Sequence, residues 1–312
     1  MRTLLTLGFV AIAAGCGSSK SSGFDDGSSG TSGGSSGGAS GGLLGDGGGG
    51  GGNGCSDAAK LVYVVSDAND LYSFRPDKLS FTKIGALSCN SAGATPNSMA
   101  VDRNGVAWVN YSNGLLFKVS TSNASCESTP FAPNQHNFMK FGMAFSSNSA
   151  GSSDESLYVC GIVDGGLPGL GPNGLGLAKI DLATFKLTPI GDFSGQLRGR
   201  GAELTGTGDG KLYGFFTTNP AQLAEINKFT GATTNPRQLD NVSTGTAWAF
   251  SFWGGDFYFY TADVQNKGLS DTTDLTRLKA ATDNSLGIAK AQIGFRIVGA
   301  GVSTCAPTTP PK

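Results

Sequence analysis

The chain predicts an all-β fold made of repeated four-stranded antiparallel sheets, and three observations lead there. Residues 202–231, AELTGTGDGKLYGFFTTNPAQLAEINKFTG, give an apolar run, a Gly-Asp-Gly turn, a Leu-Tyr-Gly-Phe-Phe run, a polar loop and a Leu-Ala-Glu-Ile-Asn run ending at Thr-Gly, which reads as three successive strands. Weaker copies of this unit lie on both sides, at a period of about 40 to 55 residues. Between Cys55 and Pro307 the chain is short aromatic and β-branched runs punctuated by Gly, Asn and Asp, about 250 residues in all, enough to bury a substantial core.

The chain begins with something that is not part of that domain. Arg2 supplies a positive end, residues 4–12 an apolar core, and Ala13-Ala14-Gly15 small side chains before Cys16. This resembles the lipobox of bacterial lipoproteins, which implies a signal peptide over 1–15, lipid on Cys16 and an outer-membrane anchor at the cell envelope. An ordinary secretory signal with an incidental cysteine is the alternative. No later apolar run approaches the roughly 18 residues a membrane span needs. Residues 17–54 are almost all Gly and Ser, with Phe24, Leu43 and Leu44 the only sizeable apolar side chains. Such a composition predicts a disordered linker, 16–54 with the lipidated cysteine, whose r.m.s. span would be about 35 Å.

The first unit offers strands at 61–65, 71–74 and 81–87. The second offers four, at 98–102, 106–111, 115–120 and 126–131, with Arg-Asn-Gly and Ser-Asn-Gly turns of hairpin chemistry. The third runs 141–145, 157–162, 177–181 and 187–193 around a long Gly/Pro loop at 164–174. The fourth is the 202–231 stretch with 237–240 as its last strand. The fifth runs 248–252, 257–261, 275–279 and 287–293, with a second long connection at 263–273. Units of four antiparallel strands at this period are the signature of a β-propeller, here of five blades. The first unit lacks an innermost strand and the C-terminus has one too many, 295–303. Giving that strand to the first blade closes the ring and removes two open edges. A pair of β-sandwiches is the main structural rival, and residues 308–312 are expected as a loose tail.

Of the six cysteines, five follow Cys16. In an exported protein they are expected to pair. Closure of the ring brings Cys55 and Cys305 together, Cys89 and Cys126 flank neighbouring outer strands, and Cys160 is left as a buried free thiol; the alternative is that all five are reduced. There is no Cys-x-x-Cys and only one His, so no spacing suggests a metal site. A net charge of −1 without a basic cluster excludes a nucleic-acid partner, because counterion release has no source.

The segment PNSMAVDRNGVAWVN, with GLLFKVS after it, resembles the repeats of NHL-type and lactonase- or lyase-type propellers, and the 202–231 stretch is similar to propeller lipoproteins of the myxobacterial kind. The resemblance implies ligand binding where the loops leading into the inner strands converge. In this chain those loops hold Asn97, His136, Arg198, Arg200, Glu203 and Arg296, with Thr95, Ser98, Gln135, Asn137, Thr244 and Thr246 beside them. Glu203 is expected to be neutralised by Arg198 or Arg200, and His136 reads as a solvated turn residue. Asp102 and Asp209 fall at the opposite end, as turn residues. Two functions remain. One is a membrane-tethered, non-catalytic binding or scaffold module for a protein or glycan partner, without a cofactor. The other is a metal-assisted lyase or lactonase using calcium or magnesium at the central pocket. The repeats themselves host both kinds of protein.

Overall fold

The computed structural model describes residues 55–163, 173–262 and 272–311. The leader, Cys16 and the linker expected over 1–54 lie outside them, as do most of the two long loops. Among the described residues, twenty strands form five sheets. Numbered along the chain, the first sheet holds β1 (Val62–Ser66), β2 (Asp70–Arg75), β3 (Ser80–Ala86) and, on its inner side, β20 (Ile297–Val302). The second is β4 (Pro96–Val101), β5 (Val106–Tyr111), β6 (Leu116–Ser120) and β7 (Cys126–Ser128). The third is β8 (Lys140–Ser147), β9 (Glu155–Val163), β10 (Asn173–Ile180) and β11 (Leu187–Gly191). The fourth is β12 (Ala202–Gly206), β13 (Leu212–Phe216), β14 (Ala221–Ile226) and β15 (Thr233–Leu239). The fifth is β16 (Ala247–Trp253), β17 (Asp256–Ala262), β18 (Asp274–Leu278) and β19 (Leu286–Lys290). Strands β20, β4, β8, β12 and β16 neighbour one another around a closed ring. This is a five-bladed β-propeller.

Closure takes the form the strand count predicts. The C-terminal β20 pairs antiparallel with β1, Val62 opposite Val302, Val64 opposite Ala300 and Ser66 opposite Ile297. Cys55 is bonded to Cys305 across 250 residues, and Cys89 to Cys126 across 37. In the loop-entropy account these contribute about 5 and about 4 kcal/mol by constraining the unfolded chain. Cys160 is free and buried, its thiol pushed up to about 12 by burial, so it packs as a small apolar group.

Sequence chemistry explains the hairpins. Asp102 Oδ1 accepts the N–H of Asn104 (2.9 Å) and of Val106 (3.0 Å), its Oδ2 accepts Trp108 Nε1 (3.0 Å), and Gly105 supplies the positive φ of 78° that closes the turn. Alternation along each strand puts large side chains between blades. Phe215, Phe250, Phe257 and Phe259 pack between blades four and five, and Phe74 meets Tyr258 and Tyr260 edge-on between blades five and one. Each fully buried ring is worth on the order of 2 kcal/mol.

Four outer strands differ from expectation: β11 ends at Gly191 and β19 at Lys290, each short of its expected end, and β7 and β15 differ more. β7 stops at Ser128 because the chain, with Pro130 and Pro133 ahead, leaves the sheet after the Thr129 hydroxyl bonds the Leu116 carbonyl. β15 starts at Thr233 and runs through Pro236, which an outermost strand tolerates because no neighbour needs the missing N–H. The expected tail lies beside the β16–β17 turn, where the Pro307 carbonyl accepts Gly254 N–H at 2.7 Å.

Small residues let the inner strands meet. A Cβ on Gly142 of β8 would overlap the Ala202 carbonyl and come within 2.8 Å of Glu203 Cα in β12. One on Gly299 of β20 would come within 3.0 Å of Met99 N in β4. Neither backbone can retreat without moving its blade, so Gly142→Ala is expected to cost about 3 kcal/mol, lowering Tm by several degrees in a thermal melt. A neutral melt would contradict the close approach.

At the end opposite the loops that lead into the inner strands, three blades share one carboxylate. Glu155 Oε1 accepts the Arg103 N–H (2.8 Å), its Oε2 accepts the Thr304 hydroxyl (2.7 Å), and Thr304 Oγ1 takes Arg103 Nη1 (3.2 Å). Burial raises the Glu155 carboxyl from 4.5 to about 7, partly opposed by the Thr304 and Arg103 hydrogen bonds. Between those two values the folded chain holds a proton that the unfolded chain has lost, so stability is full below pH 4.5 and declines as pH rises through about 7. The loss is on the order of 3 kcal/mol at most. Denaturation midpoints should fall between pH 5 and pH 8, by less in Glu155→Gln; equal slopes in the two proteins would contradict this.

Candidate functional site

The loops leading into the inner strands converge on one mouth of the ring. Its central feature is Glu203, at the head of β12 and only 2% exposed. The carboxyl reaches past blade three: Ser98 Oγ of β4 donates to Glu203 Oε2 at 2.7 Å. Strands β4 and β12 are not neighbours in the ring, since β8 stands between them. Gly142 lies against Glu203 Cα from the β8 side and has no side chain to obstruct the path. The Ser98–Glu203 bond therefore spans from blade two to blade four past the head of β8.

Burial pushes the Glu203 carboxyl well above the usual carboxylate range, and the Ser98 hydrogen bond only partly opposes this. No arginine neutralises it. The expected pairing with Arg198 or Arg200 does not form, and the physical reason lies in the backbone. Arg198 is exposed beyond the short Gly195–Leu197 turn, and Arg200 is held by a bridge to Asn173 of β10 on the rim. Among the described residues no cation lies close enough to offset this cost.

Asn97 stands beside this group at the head of β4, but its amide is committed to structure. Asn97 Nδ2 donates to Asn110 Oδ1 (3.1 Å) and to the Phe141 carbonyl (3.2 Å), joining blades two and three. Asn110 is fully buried and is the residue that sequence reasoning missed. Its Oδ1 also accepts Phe141 N–H at 3.3 Å, and its Nδ2 is shared between the Leu115 and Met139 carbonyls. The available signal was a lone polar side chain inside the run Val-Ala-Trp-Val-Asn-Tyr.

Arg296, just before β20, donates through Nη2 to the Thr246 carbonyl at 2.5 Å, and its Nη1 lies 3.9 Å from Asp67. It ties the approach to β20 to those of blade five and the β1–β2 turn. His136 is exposed, with φ of 51°, as a solvated turn residue would be. Its neighbour Gln135 is bound to the Phe185 carbonyl (2.9 Å) and the Leu187 N–H (2.9 Å), at the far end of blade three.

Asn97, Ser98 and Glu203 are thus brought together, and Arg198, Arg200 and Arg296 lie on the approaches to the inner strands. Glu203 is the one carboxylate at the heads of the described inner strands, and among the described residues no three His, Cys, Asp or Glu side chains gather as metal donors would. On the rim over blade three, Met139, Val163 and Leu175 are more than one-third exposed, beside Phe138 and Gly161.

No family model and no curated protein matches the chain. Solved structures do. A gluconolactonase from Xanthomonas campestris aligns at 11% identity with a TM-score of 0.45, over 76% of this chain and 74% of its own. A luciferin-regenerating enzyme aligns at 12% identity and 0.44, over 76% and 74%. A protein of unknown function from Bacteroides caccae aligns at 11% identity and 0.38, over 74% and 73%. At these identities and scores the similarity is one of general fold and assigns neither activity nor site.

Proposed function

We propose that this chain is an exported lipoprotein, anchored to the outer membrane through lipid on Cys16, whose propeller is a non-catalytic binding or scaffold module offering its rim to a protein or glycan partner at the cell envelope. The observation that carries this reading is that the one carboxylate at the heads of the described inner strands is already engaged by Ser98 beyond β8. The exposed Met139, Val163 and Leu175, with Arg198 on the same rim, leave a mixed apolar and cationic surface as the accessible part of that face. The two disulfides support an oxidising compartment.

A rival reading, a calcium- or magnesium-assisted lyase or lactonase, has one observation in its favour, the carboxyl group of Glu203 at the mouth. Mass action separates the two, because an ion held by the folded state at a hundredfold excess over its Kd adds roughly 2.7 kcal/mol of stability. Melting curves in calcium, magnesium and chelator are expected to coincide, with Glu203→Gln melting close to the parent because the amide oxygen can accept the same Ser98 hydrogen bond. A metal-dependent rise in Tm that Glu203→Gln abolishes would establish the rival. For the anchor, Cys16→Ser should move the protein from the detergent-extracted membrane fraction to the soluble one; retention in the membrane would overturn lipid tethering.

A further inference from the structure

After β20 the chain turns across the lower end of the ring, the end opposite the loops that lead into the inner strands, and residues 303–307 reach all five blades. Ser303 Oγ donates to the Ala59 carbonyl ahead of β1 (2.7 Å), and Cys305 is bonded to Cys55. Thr304 Oγ1 takes Arg103 Nη1 of blade two and donates to Glu155 of blade three. A Cβ on Gly208, in the β12–β13 turn of blade four, would overlap the Thr304 carbonyl oxygen. The Pro307 carbonyl accepts Gly254 N–H in blade five. Blades three and four do not adjoin blade one in the ring, so a segment of blade one that touches them lies over the opening the blades surround. Ser303, Thr304 and Ala306 are buried there, as the residues of a plug would be.

The Cys55–Cys305 bridge fastens this plug. Both of its cysteines are partly exposed, whereas Cys160 is fully buried. Arg103 sets opposite charge against the two sulfurs. Its guanidinium Nη2 is 3.5 Å from Cys55 Sγ, and its carbonyl oxygen is 3.8 Å from Cys305 Sγ. A thiolate is stabilised beside a guanidinium and opposed by the negative end of a carbonyl dipole. Cys55 is therefore the better leaving sulfur, and Cys305 the one that an incoming thiolate attacks. At the other bridge the contact is with a carbonyl and not a cation: Ala124 O lies 3.9 Å from Cys126 Sγ.

We propose that Cys55–Cys305 is a thiol–disulfide exchange site whose opening by a dithiol releases the plug from the lower end of the ring. One thiolate of the dithiol attacks Cys305 Sγ; the Cys305–Cys55 bond breaks, and its electron pair leaves on Cys55 as a thiolate beside Arg103. The second thiolate of the dithiol then attacks its partner's sulfur in the mixed disulfide and frees Cys305. Two electrons and, once both thiolates are protonated, two protons have passed to the cysteines, and the dithiol has become a disulfide. Hydrogen bonds alone then hold residues 303–307, and each is weak against the entropy of ordering the segment. β20 keeps its ladder to β1, so the ring stays closed while the plug lifts.

A monothiol halts this exchange at the mixed disulfide and so reads the direction of attack. The full chain is treated briefly with reduced glutathione, quenched with iodoacetamide and mapped by peptide mass spectrometry. Glutathione is expected on Cys305 and the carbamidomethyl group on Cys55, about fivefold over the reverse, with Cys160 unlabelled. Arg103→Gln should even out the two sites and Arg103→Lys should restore the bias; the main-chain bond from residue 103 to Glu155 is common to both variants. In Cys55→Ser/Cys305→Ser, the amides of residues 303–306 should exchange about tenfold faster or more, while those of β1 and β20 keep their protection. A bridge that glutathione leaves intact, glutathione on Cys55 as often as on Cys305, or a bias indifferent to Arg103→Gln would each overturn the proposal. So would labelling of Cys160 alongside the pair, residues 303–306 as protected without the bridge as with it, or β20 exchanging along with them.

Discussion

One antiparallel pairing, β20 against β1, turns five sheets into a ring. Every other blade is built from consecutive strands and is local in sequence; this one joins residues about as far apart as the domain allows. Its entropic cost is large because a loop of some 250 residues must close, and the Cys55–Cys305 bridge removes that cost from the folded state's side of the balance by closing the loop in the unfolded chain as well. Once β20 is in place it becomes the inner strand next to β4 and β16, so blades two and five have a neighbour on each side. The inter-blade aromatic clusters then complete a circle with no exposed end.

The same constraint shapes the centre. Five inner strands brought into one ring come close enough that their crossings select glycine, at Gly142 and Gly206 and at Gly299 and Gly301. The space left at Gly142 is taken by the β12 backbone at Ala202 and Glu203, whose side chain bonds Ser98 of β4. Blades two and four are therefore joined by a buried polar contact near the mouth, while apolar side chains and arginines stand on the rim.

Most of the architecture was legible because hairpin chemistry is local. Gly105, Gly114 and Gly210 all take the positive φ that their Asn-Gly and Asp-Gly contexts suggest, and the surplus strand at the C-terminus, set against the missing one in the first unit, determined closure by counting. Strand ends at β7 and β15 were misjudged because the tolerance of an outer edge for proline depends on having no neighbour, a property of the sheet and not of the segment. The site was less legible. Glu203 could be placed at the head of an inner strand, but its partner is Ser98, 105 residues away and two blades round, and no local pattern encodes that reach.

Native-state hydrogen exchange across Val62–Ser66 and Ile297–Val302 tests the dependence on ring closure most directly. If β20 and β1 are the pairing on which the ring stands, their amides exchange together, at the free energy of global unfolding and in step with β4 and β16. Fast exchange of β20 by local fraying, while the other four blades keep full protection, would show that the ring does not depend on its last strand.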